Sequence, residues 1–163
     1  MQVIDLIKEL THAERRPDPA AFDVVTRTIG GVTRPAVAIP VPSRIVWTLR
    51  FPERATFRAL VAVEDAASLP HDPIAFRAGV SDERRYDPLA HVEVASVPSE
   101  WIPLTADLSL YAGRKWSLFY RPDAHPWRLI LSIDGAGDRL RALCADPGVY
   151  SDRDAARKYV RAR

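Results

Sequence analysis

Residue types that could perform catalysis are few in this sequence, and they lie far apart. The four histidines occur singly, as His12, His71, His91 and His125. This spacing indicates neither a metal site nor a base beside a nucleophile, since both need such residues in recurring combinations. Gly-x-Ser-x-Gly, His-Glu-x-x-His and phosphate-loop patterns are absent as well. The sequence predicts no catalytic residue, no metal ligand and no cofactor, so the protein is predicted not to be an enzyme.

The single cysteine, Cys144, is the one remaining nucleophile candidate. A reactive thiolate needs a base and a positively charged neighbourhood. Arg139 and Arg141 are near Cys144 in sequence, but that alone does not supply them. A lone cysteine also excludes an internal disulfide and fits a reducing compartment.

One charged loop combines residue types that can bind a sugar, namely an exposed aromatic ring beside hydrogen-bonding side chains. Tyr86 lies between two arginines and Asp87, and Trp101 is flanked by prolines and polar residues rather than by a clear apolar pattern. The candidate ligand-binding residues are Asp82, Arg84, Arg85, Tyr86 and Trp101. An ordinary charged loop without a ligand explains the same residues. The other tryptophans fall on apolar strand faces and are predicted to be core, Trp47 above all.

Residues 101–120 contain a strand start, a corner and a strand. Asp107 and Ser109 can accept hydrogen bonds from the free N–H groups of a short turn, and Gly113 can end it in the left-handed conformation. Apolar residues then alternate over 116–120. Similar alternation predicts strands over residues 22–29, 34–41, 44–51, 56–63, 73–80, 91–97 and 127–133.

The Trp followed by Asp-Leu-Ser-Leu-Tyr-Ala-Gly at 107–113 resembles the late strands of a galactose-binding-like jelly-roll β-sandwich. A weaker resemblance covers residues 34–52, and the whole extends over 22–138. It implies a mainly β fold, of the kind many bacterial proteins carry as an accessory, carbohydrate-binding-like domain. A structural calcium is common in such folds, but the turn at 134–138 has two carboxylates, short of the six to eight oxygens that calcium takes.

Both ends are predicted to be helical. Residues 1–14 place Val3, Ile4, Ile7 and Leu10 at helical spacing, and the prolines at 17 and 19 end the pattern. Ser151 is a candidate N-cap for a helix over 152–163. The predicted organisation is an N-terminal helical docking segment at 1–19, a jelly-roll sandwich at 20–145 and a basic C-terminal helix at 146–163.

Positive charge is concentrated at the C-terminus: residues 151–163 carry net +3, whereas the other 150 residues sum to −1. A basic amphipathic helix can bind an acidic protein surface or anionic lipid headgroups, and it can also simply pack on its own sandwich. The candidate partner-binding residues are Ile4, Ile7, Arg153, Arg157, Lys158, Tyr159 and Arg161.

Two functions remain open from sequence. The first is a non-catalytic structural or interaction subunit that docks onto a larger protein assembly, or at an anionic membrane surface, through its ends. The alternative is a carbohydrate-binding module that recognises a glycan at the loop end of the sandwich. A length of 163 residues predicts one domain, and the net charge of +2 is too small to indicate nucleic acid. Without an apolar leader or spanning segment, the expected location is cytoplasmic or peripheral to a membrane.

Overall fold

The structure is a computed structural model that describes residues 1–65, 72–95, 98, 100–111, 126–135 and 140–151. Over these ranges the chain forms eleven strands and three single 3-10 turns. The strands are β1 (Gln2–Asp5), β2 (Glu14–Arg16), β3 (Asp23–Ile29), β4 (Val32–Pro40), β5 (Ser43–Leu49), β6 (Ala55–Asp65), β7 (Ile74–Ser81), β8 (Tyr86–Val94), β9 (Ile102–Asp107), β10 (Trp127–Asp134) and β11 (Leu140–Ser151). The turns are Lys8–His12, Pro19–Ala21 and Ser109–Tyr111.

The strands pair into two antiparallel sheets. The six-stranded sheet has the order β3-β4-β11-β6-β9, with β1 added to the second half of β11, and the five-stranded sheet has the order β2-β5-β10-β7-β8. Alternate side chains point to opposite sides of each strand, so one set from each sheet can be buried between the two. The predicted mainly β sandwich is therefore confirmed.

The core lies between the sheets and follows the predicted alternation. On β5 the buried inward residues include Ile45 and Trp47, which are each 1% exposed. Leu129 and Leu131 of the central strand β10 pair with Trp47 and Ile45 in the same sheet, and they and Ile133 are also buried. The prediction that Trp47 is core is confirmed. Its indole N–H is satisfied inside the protein, because Nε1 donates to the carbonyl oxygen of Leu6 at 3.2 Å.

The predicted N-terminal helix is wrong. Residues Gln2–Asp5 form β1, which pairs with Gly148–Tyr150 of β11. Val3, placed on the apolar stripe of the predicted helix, is 48% exposed, whereas Leu6 is fully buried. Lys8–His12 forms only a 3-10 turn, and Glu14–Arg16 is an edge strand of the other sheet. Strand pairing with β11 satisfies the backbone here, which a short isolated helix cannot match in stability.

The corner after β9 forms as predicted over its described part. Asp107 Oδ1 accepts from the N–H of Ser109 at 2.9 Å, and Leu108 is fully buried beneath the turn. Gly113 and the strand predicted over 116–120 lie outside the described residues. So do residues 152–163, where the C-terminal helix is predicted. The last described residue of β11 is Ser151, whose hydroxyl donates to the carbonyl of Glu53 at 3.0 Å.

Two further elements differ from the prediction. The charged loop predicted over 81–88 is shorter, because β8 begins at Tyr86. The twelve-residue strand β11 continues to Ser151, past the predicted end of the sandwich at residue 145. No helical element among the described residues has the length and apolar character that crossing a membrane requires.

Candidate functional site

The outward surface of the five-stranded sheet, called here the five-strand face, gathers side chains from four adjacent strands. The outward residues are Arg44, Val46 and Thr48 of β5, Arg128, Ile130 and Ser132 of β10, Arg77, Gly79 and Ser81 of β7, and Tyr86 of β8. Val46, Ile130 and Gly79 lie in register across three strands and form an apolar middle row. Polar rows flank it on both sides, so the face offers a narrow apolar floor with polar walls.

The position of the Tyr86 side chain on this face depends on the glycine at position 79. A β-carbon added to Gly79 would lie 2.5 Å from Cε2, Cζ and the hydroxyl oxygen of Tyr86. The tyrosine ring therefore lies across the glycine, in space that any side chain at 79 would fill. A β-bulge between Ala78 and Gly79 sets the register in which Tyr86 stands opposite Ser81.

Tyr86 is also the most accessible aromatic side chain of the described residues, with 42% of its surface exposed. The other described aromatic residues are buried or only partly exposed. Partial burial raises the pKa of the Tyr86 phenol, while the positive charges of Arg44 and Arg77 act in the opposite direction. The phenol is consequently neutral near pH 7 and can both donate and accept a hydrogen bond.

A polar recess of about 250 Å³ lies on the same face. Its lining residues are Glu14, Arg16, Arg44, Val46, Ser81, Glu83, Arg128 and Ile130. Arg128 Nη2 and Glu83 Oε1 form an ion pair at 2.8 Å across it. Nearby, Arg77 is paired with Asp134. The recess therefore combines hydroxyl, carboxylate and guanidinium groups above the buried side chains of Val46 and Ile130.

The predicted ligand residues Asp82, Arg84 and Arg85 lie in the exposed turn that leads into Tyr86. Asp82 Oδ1 accepts from the backbone N–H groups of Arg84 and Arg85 at 2.9 and 2.8 Å. These hydrogen bonds, that of Arg85 first, lower the pKa of the Asp82 carboxyl. Asp82 thus holds the turn, and the turn brings four of the five predicted residues together at one edge of the five-strand face.

Trp101 is not brought to that group. It is 9% exposed and packs on the opposite side of the sandwich, on the outward surface of the six-stranded sheet. Its Nε1 donates to the carbonyl oxygen of Val32 at 3.0 Å. The residues it packs with are mostly small: Ala36, Ala38, Ala62, Leu143 and Ala145. Alternation in β4, β6 and β11 would have revealed that outward row of alanines, which leaves room for a large side chain to cover it.

A larger groove of about 560 Å³ lies near Trp101, where β1 and β4 meet β11. Arg34 Nη1 and Asp146 Oδ2 form an ion pair at 2.7 Å on its wall. Its aromatic residue, Tyr150, has the guanidinium of Arg58 5.1 Å above the ring centre, so that ring face is already covered. The groove is mainly apolar and offers no open aromatic platform.

The predicted partner-binding residues of the N-terminus are placed in the sandwich. Ile4 pairs with Val149 within the six-stranded sheet, and Ile7 lies at the edge of the groove. Both are partly buried and pack against the core. The other predicted contacts, Arg153, Arg157, Lys158, Tyr159 and Arg161, lie outside the described residues.

The remaining chemical candidates are isolated. Cys144 is fully buried, and burial raises its pKa to about 12, so the thiolate is not available. His91 is 3.5 Å from Glu93 at the surface, and His71 and His125 are outside the described residues. Within the described ranges no three His, Cys, Asp or Glu side chains converge as metal ligands would.

Comparison with known proteins establishes the fold. No family model and no curated protein matches this sequence. Among solved structures, TmCBM61 in complex with β-1,4-galactotriose is similar with a TM-score of 0.52 and 11% identity, over 90% of this chain and 92% of that one. CBM51 from Clostridium perfringens GH95, in complex with methyl-galactose, has a TM-score of 0.52 and 12% identity, over 85% and 87%.

Similar modules also occur within larger structures. The chain covers 28% of a Clostridium perfringens ZmpB structure containing CBM51-2 and INT domains, with a TM-score of 0.52 and 12% identity. The likenesses with TM-scores of 0.52 identify the fold as the jelly-roll β-sandwich of carbohydrate-binding modules. At such low identity they establish the fold alone.

Proposed function

We propose that this chain is a carbohydrate-binding module in which a sugar ring stacks on Tyr86 at the five-strand face. The observation that carries the proposal is the ring of Tyr86 lying over Gly79 with 42% of its surface exposed. An aromatic ring fixed on a strand presents apolar area and loses little conformational entropy when a ligand binds. This suits the apolar face of a pyranose.

Polar groups beside the ring supply the hydrogen bonds that sugar hydroxyls need. Ser81 stands opposite Tyr86 in the β7–β8 register and lines the recess. Glu83 and Arg128 line the same recess and offer an acceptor and a donor. Small-ligand sites typically combine an apolar surface with a few fixed polar groups, and this face has both.

The similar solved structures support the same class of ligand. TmCBM61 is in complex with a galactotriose and the CBM51 module with methyl-galactose, and this chain covers most of each. Because only 11% and 12% of residues are identical, the particular sugar is not carried over. The proposal concerns carbohydrate as a class and places the contact at Tyr86.

Titration calorimetry of the purified chain against a panel of oligosaccharides and soluble polysaccharides tests the proposal. Tyr86→Ala should weaken binding about tenfold or more, which corresponds to a loss of about 1.4 kcal/mol. Tyr86→Phe should retain most of the affinity, because it keeps the ring. Gly79→Ala keeps every polar group but forces the ring of Tyr86 to move, so it should weaken binding in the same way.

Tyr150→Ala is the matched control, since it removes a tyrosine from the groove on the other side of the sandwich. It should leave the affinity unchanged. If Tyr150→Ala abolishes binding while Tyr86→Ala and Gly79→Ala do not, the sugar binds in the groove and the placement at Tyr86 is wrong. If no carbohydrate binds at all, the proposed function itself is wrong.

A further inference from the structure

Two arginines on the five-strand face stand side by side. Arg16 of β2 and Arg44 of β5 are directly opposite each other in the antiparallel register, and both line the polar recess. Both side chains are exposed. In the part of the chain that the structure describes, neither guanidinium takes part in a hydrogen bond or an ion pair. Like charges placed directly opposite each other in a sheet repel and are destabilising, so this pairing is a local cost to the fold.

The other charges of the recess do not cancel this pair. Arg128 is neutralised by Glu83 at 2.8 Å. Glu14 stands opposite Val46, one outward position away from Arg16 on the same strand. Three arginines and two glutamates therefore line the recess, and the surplus positive charge lies at Arg16 and Arg44. Guanidinium groups bind carboxylates and sulfates through paired, parallel hydrogen bonds, and two of them can hold one anion between them.

The arginine pair is within reach of a ligand on Tyr86. Arg44 is opposite Ser132, and Ser132 is opposite Arg77, so Arg44 lies two strands from β7. Arg16 on β2 lies three strands from β7, so the spacings amount to about 10 Å for Arg44 and about 15 Å for Arg16, which a sugar ring with its substituents and the long arginine side chains cover together. The charge of Arg44 already acts on the Tyr86 phenol and lowers its pKa against the effect of burial. A ring stacked on Tyr86 can thus place a substituent over the recess.

We infer that the ligand is an acidic glycan, whose anionic group, a ring carboxylate or a sulfate ester, is bound between Arg16 and Arg44 while a sugar ring rests on Tyr86. This inference depends on the proposed function and adds the ligand class. The bound anion would offset the repulsion between the two arginines, which gives an acidic sugar an advantage that its neutral counterpart lacks.

Matched pairs of ligands test the inference. Polygalacturonate is compared with its methyl ester, and a sulfated galactan with its desulfated form, by calorimetry at low and high salt. The native chain should bind the acidic member of at least one pair about tenfold more tightly, and which pair responds distinguishes a carboxylate from a sulfate. High salt should reduce the preference, since the recess is open to solvent.

Variants then locate the preference. The double variant Arg16→Gln/Arg44→Gln should lose the acidic preference and keep the residual affinity for the neutral ligand. Arg141→Gln removes an arginine from the other sheet, where it is only weakly paired with Asp23 at 3.5 Å, and serves as the matched charge control. Arg141→Gln should leave both the acidic preference and the affinity for the neutral ligand unchanged. Polyglutamate is the control for attraction to polyanions in general, and it should bind much more weakly than the acidic glycan.

Each outcome bears on one proposal or the other. Equal affinity for acidic and neutral members, polyglutamate binding as tightly as the glycan, or an equal effect of Arg141→Gln would overturn the acidic-glycan inference. If acidic and neutral ligands bind equally well, the Tyr86→Ala variant still tests the proposed function independently. If the native chain binds no carbohydrate at all, both the proposed function and the acidic-glycan inference are wrong.

Discussion

The phenol of Tyr111 donates a hydrogen bond to Asp87 Oδ2 at 2.9 Å and so connects the corner after β9 to the first residues of β8. Arg85 Nε contacts the other oxygen of Asp87 at 3.2 Å. The Tyr111 ring packs edge-on against Trp127, with ring centres 5.1 Å apart. The residues immediately before and after Tyr86 are therefore held by the corner.

Tyr111→Phe removes this hydrogen bond and keeps the ring contact. We expect a loss of about 1 kcal/mol in the free energy of unfolding, the usual net value for a hydrogen bond that is partly open to water. Urea unfolding measures it. Tyr150→Phe is the control, because the described residues offer its hydroxyl no acceptor, and its stability should match that of the native chain. If the Tyr111→Phe and Tyr150→Phe variants are equally stable, the hydrogen bond from Tyr111 to Asp87 does not contribute to the free energy of unfolding.

The corner is also the region whose structure the sequence predicts best, because the contacts that form it are local. Asp107, Leu108 and Ser109 form a turn whose hydrogen bonds lie within a few residues. The local residue types are therefore enough to predict its geometry. Strand alternation was equally reliable where one side of the strand is buried, as in β5 and β10. In these places the predicted and observed elements agree.

Asp107 should give a measurable pH dependence to the corner. Hydrogen bonds from Ser109, first of the side chain and then of the backbone, lower the pKa of its carboxyl from the ordinary 3.8. The stabilisation is therefore fully present above about pH 4 and is lost as the pH falls through the lowered value. Asp107→Ala should destabilise the chain at pH 7, and the difference should shrink as the solution is acidified below 3.8. A difference that stays constant from pH 7 to pH 2 would contradict this account.

The candidate site was only partly predictable, and the limit was long-range geometry. Tyr86 was recognised as an exposed aromatic, but its place over Gly79 depends on a bulge between β7 and β8 that no local pattern shows. The cross-strand pairing of Arg16 with Arg44 depends on a register between segments far apart in sequence. The sequence groups Trp101 with Tyr86 because the prolines and polar residues around Trp101 show no clear apolar pattern. Trp101 instead packs over the alanines of the other sheet, which is a tertiary contact between residues far apart in sequence.

Trp101 and Tyr86 should therefore respond to substitution in opposite ways. Trp101→Ala should cost about 3 kcal/mol of stability, since it uncovers a buried cluster and leaves the Val32 carbonyl without its donor. The affinity of the folded protein for carbohydrate should not change. Tyr86→Ala should weaken binding and should cost less stability than Trp101→Ala, because 42% of the Tyr86 surface is exposed. Thermal unfolding and calorimetry on both variants measure this, and a loss of affinity in folded Trp101→Ala would place it in the site.

Cys144 should be inert in the folded protein. It is fully buried, and its pKa is raised to about 12, so almost no thiolate is present at pH 8. A thiol reagent such as DTNB should label it only after denaturation, and the labelling rate should follow the rate of unfolding. Rapid labelling of the native chain at pH 8 would mean that the strand around Cys144 opens without global unfolding.

The N-terminal residues provide the sharpest test of the difference between the predicted helix and the observed strand. Leu6 is fully buried, and its main chain is fixed at two points: its N–H donates to Pro147 O at 3.0 Å, and its carbonyl accepts from Trp47 Nε1. Leu6→Ala leaves both backbone hydrogen bonds in place, so its effect measures packing alone. We expect a loss of about 2–5 kcal/mol.

Val3→Ala is the matched control, because Val3 is 48% exposed on β1. It should alter stability by no more than about 0.5 kcal/mol. For a chain of this length each kcal/mol lowers the melting temperature by about 2–4 °C, so the two variants separate clearly in thermal unfolding. The predicted helix instead places Val3 on its packed stripe, where truncation to Ala would be costly. A loss for Val3→Ala well above about 0.5 kcal/mol would therefore argue against β1 and for the helix.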